Sequence, residues 1–334
     1  MTIERSGLNR RQYLAATGAT ALSLGISGLI PAYAATKLRQ GYQVNMWGMP
    51  TYYLMKSGLL QKHGIDVEEF AVASGNLTMQ QMVARQVDMG TYAGPSFIIG
   101  NDKGGLVAIA VIQNVGKTAQ VMARKDLGLK SVADLKGKKV ANQTGSSTGN
   151  IWTDQIAPKA GLKKGDYEEV RMNTNDMAAA LAAKTIDAMV TVEPYNAIAE
   201  ADGIANPLQG GDFYSFDKLP VFMAATPEYV EKNPDAVVAY LKAWLDAGKE
   251  FKQNPDKVNN VVYEYYASKG YKMSKDTFKT ALSRVEVDPG FPADLTGYLT
   301  NHAKILLDAK KIKAIPDWKK ALRPEFMQKA RATA

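Results

Sequence analysis

Two stretches of this chain follow one plan in a single unbroken register. A shift of 99 residues lays Ser74-Gly75-Asn76 on Asn173-Thr174-Asn175 and Met82-Val83-Ala84-Arg85-Gln86-Val87-Asp88 on Leu181-Ala182-Ala183-Lys184-Thr185-Ile186-Asp187, and puts Pro95 on Pro194. Each stretch reads as a capping residue, a helix, an Asp, a short apolar strand and a proline. One such unit cannot bury its own apolar face, so two of them predict two similar α/β lobes, each a mainly parallel sheet covered by helices.

The surrounding pattern agrees. Gly41 to Met46 reads as a first strand, Tyr52 to Lys62 as a helix stopped by Gly64, and Ile65 to Val72 as a second strand. Ser74 caps a helix running to about Arg85, and Val87 to Tyr92 is a third strand. In the second half, Lys138 to Asn142 and Tyr167 to Met172 read as strands around a helix at about Ile151 to Ala160. Leu106 to Gln113, Thr118 to Lys125 and Leu219 to Ala225 are further apolar strands, the last after a loop at Gly210 to Tyr214, and they are the expected crossings between lobes. From Thr226 onward Thr226-Pro227, Asn233-Pro234 and Asn254-Pro255 each set a cap before a proline in the first helical position, so the tail reads as helical and packs back on the first lobe.

The N-terminus has a different character. Arg10-Arg11 precede a mild apolar run, Leu14 to Ile30, and then Pro31-Ala32-Tyr33-Ala34-Ala35. That order is the layout of a secretory leader, with an arginine pair like that of twin-arginine export and cleavage expected near Ala34. The run contains three glycines and several hydroxyls, which argues against a membrane anchor. The expected compartment is therefore the periplasm. Removing Glu4, Arg5, Arg10 and Arg11 lowers the net charge from +8 to +6, a mildly basic surface suited to anions but not decisive.

Absent residue types close off several chemistries. The sequence has no cysteine and two histidines, His63 and His302, so disulfides, thiolate metal sites and His-rich metal sites are excluded; no cofactor or metal is expected. No Walker A or dinucleotide fingerprint occurs, and the basic residues form no nucleic-acid recognition motif. Gly145-Ser146-Ser147-Thr148-Gly149 matches the nucleophile-elbow pattern G-x-S-x-G, but a triad built on it would have to recruit His302 from the tail.

What remains is binding. Gly48-Met49-Pro50-Thr51, Ser74-Gly75-Asn76, Gly94-Pro95-Ser96 and Thr144 to Gly149 are small or hydroxyl-bearing loops that feed helix N-termini. Unpaired N–H groups and the positive dipole end let such termini hold an anion without an arginine. In open α/β sheets these carboxyl-end loops line the ligand crevice, so facing lobes would gather all four around one cleft. Nearby aromatics, Trp47, Tyr52, Tyr53, Tyr92, Trp152, Tyr195, Phe213 and Tyr214, could wall an apolar part of the ligand. Glu193 could receive an ammonium group or form an ion pair between lobes.

Several motifs together resemble one family. Gly41-Tyr42, the run Lys56 to Val67 with Lys62-His63-Gly64-Ile65-Asp66-Val67 at its end, Ser74-Gly75, Val87-Asp88-Met89-Gly90, the run Ser131 to Val140, and Ile186-Asp187-Ala188 leading to Glu193-Pro194 are similar in order and spacing to periplasmic solute-binding proteins of ABC importers, in the nitrate/sulfonate/taurine branch. The resemblance implies the type II periplasmic-binding-protein fold, two α/β lobes joined by two hinge strands. It divides the chain into a 1–34 signal peptide, a first lobe of 35–115 and 222–334, and a second lobe of 116–221. It implies ligand contacts from Trp47, Gly48, Ser74, Gly75, Asn76, Gly94, Pro95, Ser96, Gln113, Gly145, Ser146, Ser147 and Glu193. It also implies a monomer that hands a small anionic solute, such as a sulfonate, taurine, nitrate or an aromatic carboxylate, to a membrane permease and its ATPase. Two positions depart from the branch: Val192 stands where an aromatic often precedes an Asp-Pro pair, here Glu193-Pro194, and Lys184-Thr185 where the helix usually ends in Gly. The competing expectation is an enzyme on the same fold, of the pyrimidine-precursor or menaquinone-pathway type.

Overall fold

The computed structural model describes residues 36–334 except Phe216, Tyr271 and Lys272; the expected export leader lies outside the described residues. β1 (Thr36–Gln43) leads through a turn to α1 (Met49–Lys56) and α2 (Leu59–Lys62), followed by β2 (Ile65–Val72), α3 (Gly75–Val83), β3 (Met89–Ala93), α4 (Gly94–Gly104) and β4 (Val107–Asn114). After a crossing come β5 (Ala119–Arg124), β6 (Lys139–Asn142), α5 (Ser147–Ile151), a π-helical turn at Trp152–Ile156, α6 (Ala157–Lys159), β7 (Glu168–Arg171), α7 (Thr174–Ala182), β8 (Ala188–Val192), α8 (Tyr195–Ala201) and β9 (Ala205–Asp212). The chain then returns through β10 (Pro220–Ala225), α9 (Pro227–Lys232), α10 (Pro234–Gln253), α11 (Pro255–Ser268), α12 (Lys275–Ser283), β11 (Glu286–Gly290), α13 (Leu295–Asp308), α14 (Trp318–Ala321) and α15 (Pro324–Ala332).

These strands form two sheets, ordered β11-β4-β10-β3-β1-β2 and β7-β6-β8-β5-β9. In each, three parallel strands (β2-β1-β3 and β7-β6-β8) are extended by an antiparallel strand that has just crossed from the other lobe: β10 beside β3, and β5 beside β8. The two lobes thus exchange strands, and the chain passes between them at Val115–Thr118 and Phe213–Leu219. Backbone bonds tie the crossings to each other, from Val115 and Gly116 N–H to Lys218 C=O at 3.1 and 2.8 Å. β10 starts at Pro220, so Pro220 and Val221 stand in the first sheet, ahead of the boundary expected at residue 222.

The internal repeat is structural. α3 and α7, and β3 and β8, correspond at the shift of 99 residue for residue. Asp88 and Asp187 accept the N–H of Arg39 and of Lys139 at 3.0 and 2.9 Å and lock β3 to β1 and β8 to β6. These bonds also show where the register slips, because Arg39 and Lys139 are 100 apart. β1 and β2 match β6 and β7 at 100, so the link between β7 and α7 is one residue shorter than that between β2 and α3. After both helices a left-handed residue turns the chain into the strand, Arg85 and Lys184, each with φ of 60°. Neither is glycine.

Several elements differ from expectation for local reasons. The first strand pairs with β2 along Thr36–Gln43 and stops there, because Asn45 Oδ1 accepts the Trp47 N–H and turns the chain. The helix expected over Tyr52 to Lys62 begins at Met49 and breaks at Gly58, whose φ is 81°. β9 ends inside the loop expected at Gly210 to Tyr214, and β11 interrupts the helical tail. The three helices expected from Thr226-Pro227, Asn233-Pro234 and Asn254-Pro255 each begin at that proline. The tail packs on the first lobe as expected: β11 pairs with β4, and Tyr240 on α10 donates to Gln40 Oε1 at 2.7 Å. β3, β4 and β10 are buried along nearly their whole length, as β8 is in the second lobe, and the buried apolar side chains among the described residues gather in three clusters around the two sheets. No helix among the described residues is long and apolar enough to cross a membrane.

Candidate functional site

The carboxyl ends of both sheets face one cleft. Ser74 caps α3 by accepting the Leu77 N–H at 3.4 Å, and Ser146 caps α5 by accepting the Gly149 N–H at 3.0 Å. α3 presents its first turn from the first lobe; α5 and α7 present theirs from the second. The first-turn N–H groups of a helix have no acceptor inside it, and its positive end favours an anion. Between these termini lies a cavity of about 20 Å³ lined by Gln43, Asn45, Trp47, Ser74, Gly75, Ala93, Gln143, Ser146, Ser147, Thr148, Thr174 and Val192. Gly75 and Thr174 are repeat-related, as are Ala93 and Val192, so the cavity sits where the two halves mirror each other.

Gln43 is the cavity's most informative residue. It is 1% exposed, and its Oε1 accepts the Thr91 hydroxyl at 3.1 Å, which fixes the amide. Its Nε2 has no hydrogen-bond partner. A buried donor left unpaired costs about 1–3 kcal/mol, so an acceptor entering the cavity would satisfy it. Gly75 makes this geometry possible: a Cβ there would stand 2.8 Å from Gln43 Nε2 and 2.6 Å from Tyr92 Cβ.

The expected site residues divide into three groups. Trp47, Ser74, Gly75, Ser146 and Ser147 line the cavity. Ser96, at the start of α4, joins them through a hydroxyl contact of 3.0 Å with Ser147 across the cleft. Asn76 and Gly145 lie one residue further out and line the mouth of the cleft. The third group supports the site. Gly48 packs so tightly that a Cβ would meet Gln43 O at 1.8 Å, and a Cβ on Gly94 would meet the Tyr298 hydroxyl at 2.8 Å. Pro95 follows Gly94 in the first turn of α4. Gln113 Nε2 donates to Trp47 C=O at 2.7 Å, while the Trp47 indole N–H donates to Thr118 Oγ1 at 2.5 Å, so Trp47 is held against the first crossing.

Glu193 is not among the lining residues. Its fully buried carboxylate pairs with Arg284, before β11, and accepts the Ala197 N–H at 3.2 Å. Burial raises its pKa above the usual carboxylate value, against the opposing charge of Arg284. Because Glu193 C=O also accepts the Met46 N–H at 3.1 Å, this residue ties the lobes together.

Most of the aromatics near the strand ends serve the core. Tyr53, Tyr92, Trp152, Tyr195 and Phe213 are fully buried, Tyr52 packs at a tilt against Tyr265, and Tyr214 is on the surface; of the eight only Trp47 lines the cavity. The G-x-S-x-G serine has no histidine beside it. Ser147 meets Ser96, and His302 Nε2 lies 2.9 Å from Asp217 Oδ2. Sequence reading had not singled out Gln43, Asn45 or Gln143. Their signal is positional, since each falls within two residues of a strand's carboxyl end.

Residues 46–258 match the family described as NMT1/THI5 like. The chain belongs to the NMT1/THI5-like family. A protein of Brucella abortus (strain 2308), named as a binding protein, is 30% identical over 77% of this chain and 79% of its own length. A more distant relative, from Schizosaccharomyces pombe, is named 4-amino-5-hydroxymethyl-2-methylpyrimidine phosphate synthase and is 20% identical over 79% of each chain. Among solved structures, the alkanesulfonate-binding protein SsuA from Xanthomonas axonopodis pv. citri, bound to MOPS, superposes with a TM-score of 0.75 at 18% identity, covering 86% of this chain and 98% of that one. The periplasmic nitrate-binding protein NrtA from Synechocystis PCC 6803 gives 0.69 at 15% identity, covering 90% and 89%. The fold is that of type II periplasmic binding proteins, as the sequence motifs imply.

Proposed function

We propose that this protein is the solute-capturing component of an ABC importer, exported to the periplasm, where as a monomer it closes its lobes on a small organic anion and hands it to a permease and its ATPase. The observation that carries this reading is the buried, unpartnered Gln43 Nε2 in a cavity framed by helix N-termini from both lobes. All lining groups are neutral and several are donors, a set that holds an anion by N–H and O–H groups and dipoles rather than by a counter-charge. None of the twelve lining side chains titrates near neutral pH, so they offer no general acid or base, which favours carriage over catalysis. Relatives named for binding, and structural neighbours named for alkanesulfonate and nitrate, support the solute class.

A volume of about 20 Å³ admits roughly one water, whereas an organic anion needs a pocket of about 300 Å³ or more. Entry therefore requires the lobes to part about the two crossings, breaking the Ser96–Ser147 contact, and a ligand favours re-closure only through groups it meets on both sides. We assign the moving bodies to the two sheets with their helices, and the ligand contacts to Gln43, Trp47, the first turn of α3 at Ser74–Asn76, and Ser146–Thr148.

Thermal unfolding with alkanesulfonates, taurine, nitrate, aromatic carboxylates and hydroxymethylpyrimidine tests the reading. A ligand at a hundred times its Kd adds about 2.7 kcal/mol, a shift of several degrees. Gln43→Leu should abolish that shift while keeping the unliganded Tm within a few degrees. A full shift in Gln43→Leu, or chemical turnover of the bound compound by the pure protein, would overturn the proposal.

A further inference from the structure

The mouth of the cleft differs in charge from its floor. Outside the neutral cavity lies a second one of about 710 Å³, with the first lobe on one side and Gly145 and Asn150 of the second on the other. The two cavities share a wall: Asn76 follows the lining pair Ser74-Gly75, Gly145 precedes the lining Ser146, and a Cβ on Gly145 would stand 3.9 Å from Asn76 Nδ2. Four lysines line the outer cavity, Lys103, Lys310, Lys311 and Lys313, against one acid, Asp102.

Lys311 is occupied: its ammonium donates to Asn150 Oδ1 and Asp154 Oδ2, both at 2.8 Å, and so fastens the first lobe to the second. Asp102 Oδ1 is occupied by the Lys313 backbone N–H at 3.0 Å. The ammonium groups of Lys103, Lys310 and Lys313 have no carboxylate partner among the described residues, and all three side chains are exposed. Like charges gathered at the rim of a cleft repel one another and are relieved by an anion that brings its own negative charge to them. A compact anion held at the floor would not reach the rim; a longer one with a second charged end would.

We infer that the solute carries two anionic groups: one is received by the neutral donors around Gln43 and the α3 and α5 termini, the other by Lys310 and Lys313 at the mouth, with Lys103 beside them. This inference rests on the cleft being an anion site, as proposed above, and narrows its ligand to an organic dianion. It separates the two recognition tasks. The floor selects a group that accepts many hydrogen bonds, and the rim selects charge at a set distance.

Matched probes separate the two. Isothermal titration would compare ω-sulfocarboxylates and dicarboxylates of two to six carbons with the alkanesulfonates and monocarboxylates of the same carbon number. In the wild-type protein at low salt, the dianion of one chain length should bind about tenfold more tightly than its monoanion partner, about 1.4 kcal/mol, which is within reach of two exposed ion pairs. The advantage should shrink in 0.5 M salt. Lys310→Gln/Lys313→Gln, which alters exposed side chains only, should erase the advantage and leave monoanion affinity unchanged. Equal affinities for the two classes at every length, an advantage that survives in the double variant, or an equal loss for both classes would overturn the inference and leave the anion site standing. If neither class binds at any length, this inference falls, and the reading of the cleft as an anion site falls with it if nitrate, taurine and aromatic carboxylates also give no thermal shift.

Discussion

Removing Arg284 should harm the protein far more than neutralising its partner, and only when the pH is high enough to charge that partner. Glu193 is fully buried while the Arg284 side chain is 40% exposed, so the two members of this pair face different alternatives. Truncation to Ala strands a carboxylate in the interior, where breaking a buried pair costs about 3–5 kcal/mol; since water can follow the shortened side chain, about 2–3 kcal/mol is expected here. Glu193→Gln keeps an acceptor for the Ala197 N–H and lets the guanidinium turn to solvent, at a cost of about 1 kcal/mol or less. Burial already raises the Glu193 carboxyl, and loss of Arg284 raises it further. A raised acid contributes stability that is present below its unfolded pKa and lost as the pH rises through the folded one. Urea unfolding of Arg284→Ala at pH 5 and pH 8 should therefore show a small deficit at the lower pH and the full one at the higher. Adding Glu193→Gln to Arg284→Ala should restore about 2 kcal/mol at pH 8. If the double variant is no more stable than Arg284→Ala, or if the deficit is the same at both pH values, the stranded-charge argument fails.

Three further outcomes follow from the same geometry. Burial alone would raise Asp246 on α10, but bonds from Lys62 and His63, with Lys249 beside them, hold it at about 2; its contribution, cut by solvent screening to about 1 kcal/mol, should be present above pH 4 and fade as the pH falls toward 2, and Asp246→Asn should flatten that limb of the pH–stability curve. Lys184→Gly should raise stability by about 0.5–1 kcal/mol by relieving a left-handed residue whose ion pair is the exposed contact with Asp126, whereas Arg85→Gly should bring no gain because Arg85 also bonds Glu228, Met82 C=O and Gly104 C=O; calorimetric Tm values of the two variants decide it. Gly48→Ala should cost about 3 kcal/mol in urea unfolding, because its Cβ would land on backbone that cannot swing aside.

Legibility in the sequence followed local chemistry. β2 and the helices opened at Pro227, Pro234 and Pro255 stand where the residues place them, because an alternating strand, a cap and a ring-fixed φ need no distant partner. The repeat was legible through its Asp and its cap, since Asp88 and Asp187 do the same work in both halves. The missed strands share one cause. β9 contains Pro207, Gly210 and Gly211 and β11 contains Pro289, residues that argue against a strand unless it lies at a sheet edge, and both are edges. Edge position is a property of topology, which no local window carries. The site was legible as loops and illegible as contacts. Ser74 and Ser146 announce themselves as caps, but a glutamine at the end of a strand looks like any other until Thr91 and Gly75 are placed against it.

The strand exchange explains why the cleft lies where it does and why so few contacts hold it. Each crossing leaves one sheet and enters the other antiparallel to its parallel strands, so the chain changes direction at the carboxyl ends of both sheets, where helix N-termini collect. A ligand at that place lies beside the crossings, and Trp47 links the two: its ring lines the cavity while its indole N–H holds Thr118 in the crossing. Contacts on either side, Ser96 with Ser147, Lys311 with Asn150 and Asp154, and Glu193 with Arg284, would break or stretch in the opening proposed above. The neutral Ser96–Ser147 contact and the half-buried Lys311–Asp154 pair should be easier to release than a fully buried charge, which suits the opening and re-closure proposed above. The buried carboxylate of Glu193 is the exception. Its pairing with Arg284 is the contact that should decide how far the closed form is favoured before any ligand arrives, so Arg284→Ala should loosen closure as well as the fold, and small-angle scattering of the unliganded variant should show a larger radius of gyration than the wild type at pH 8 and the same radius at pH 5.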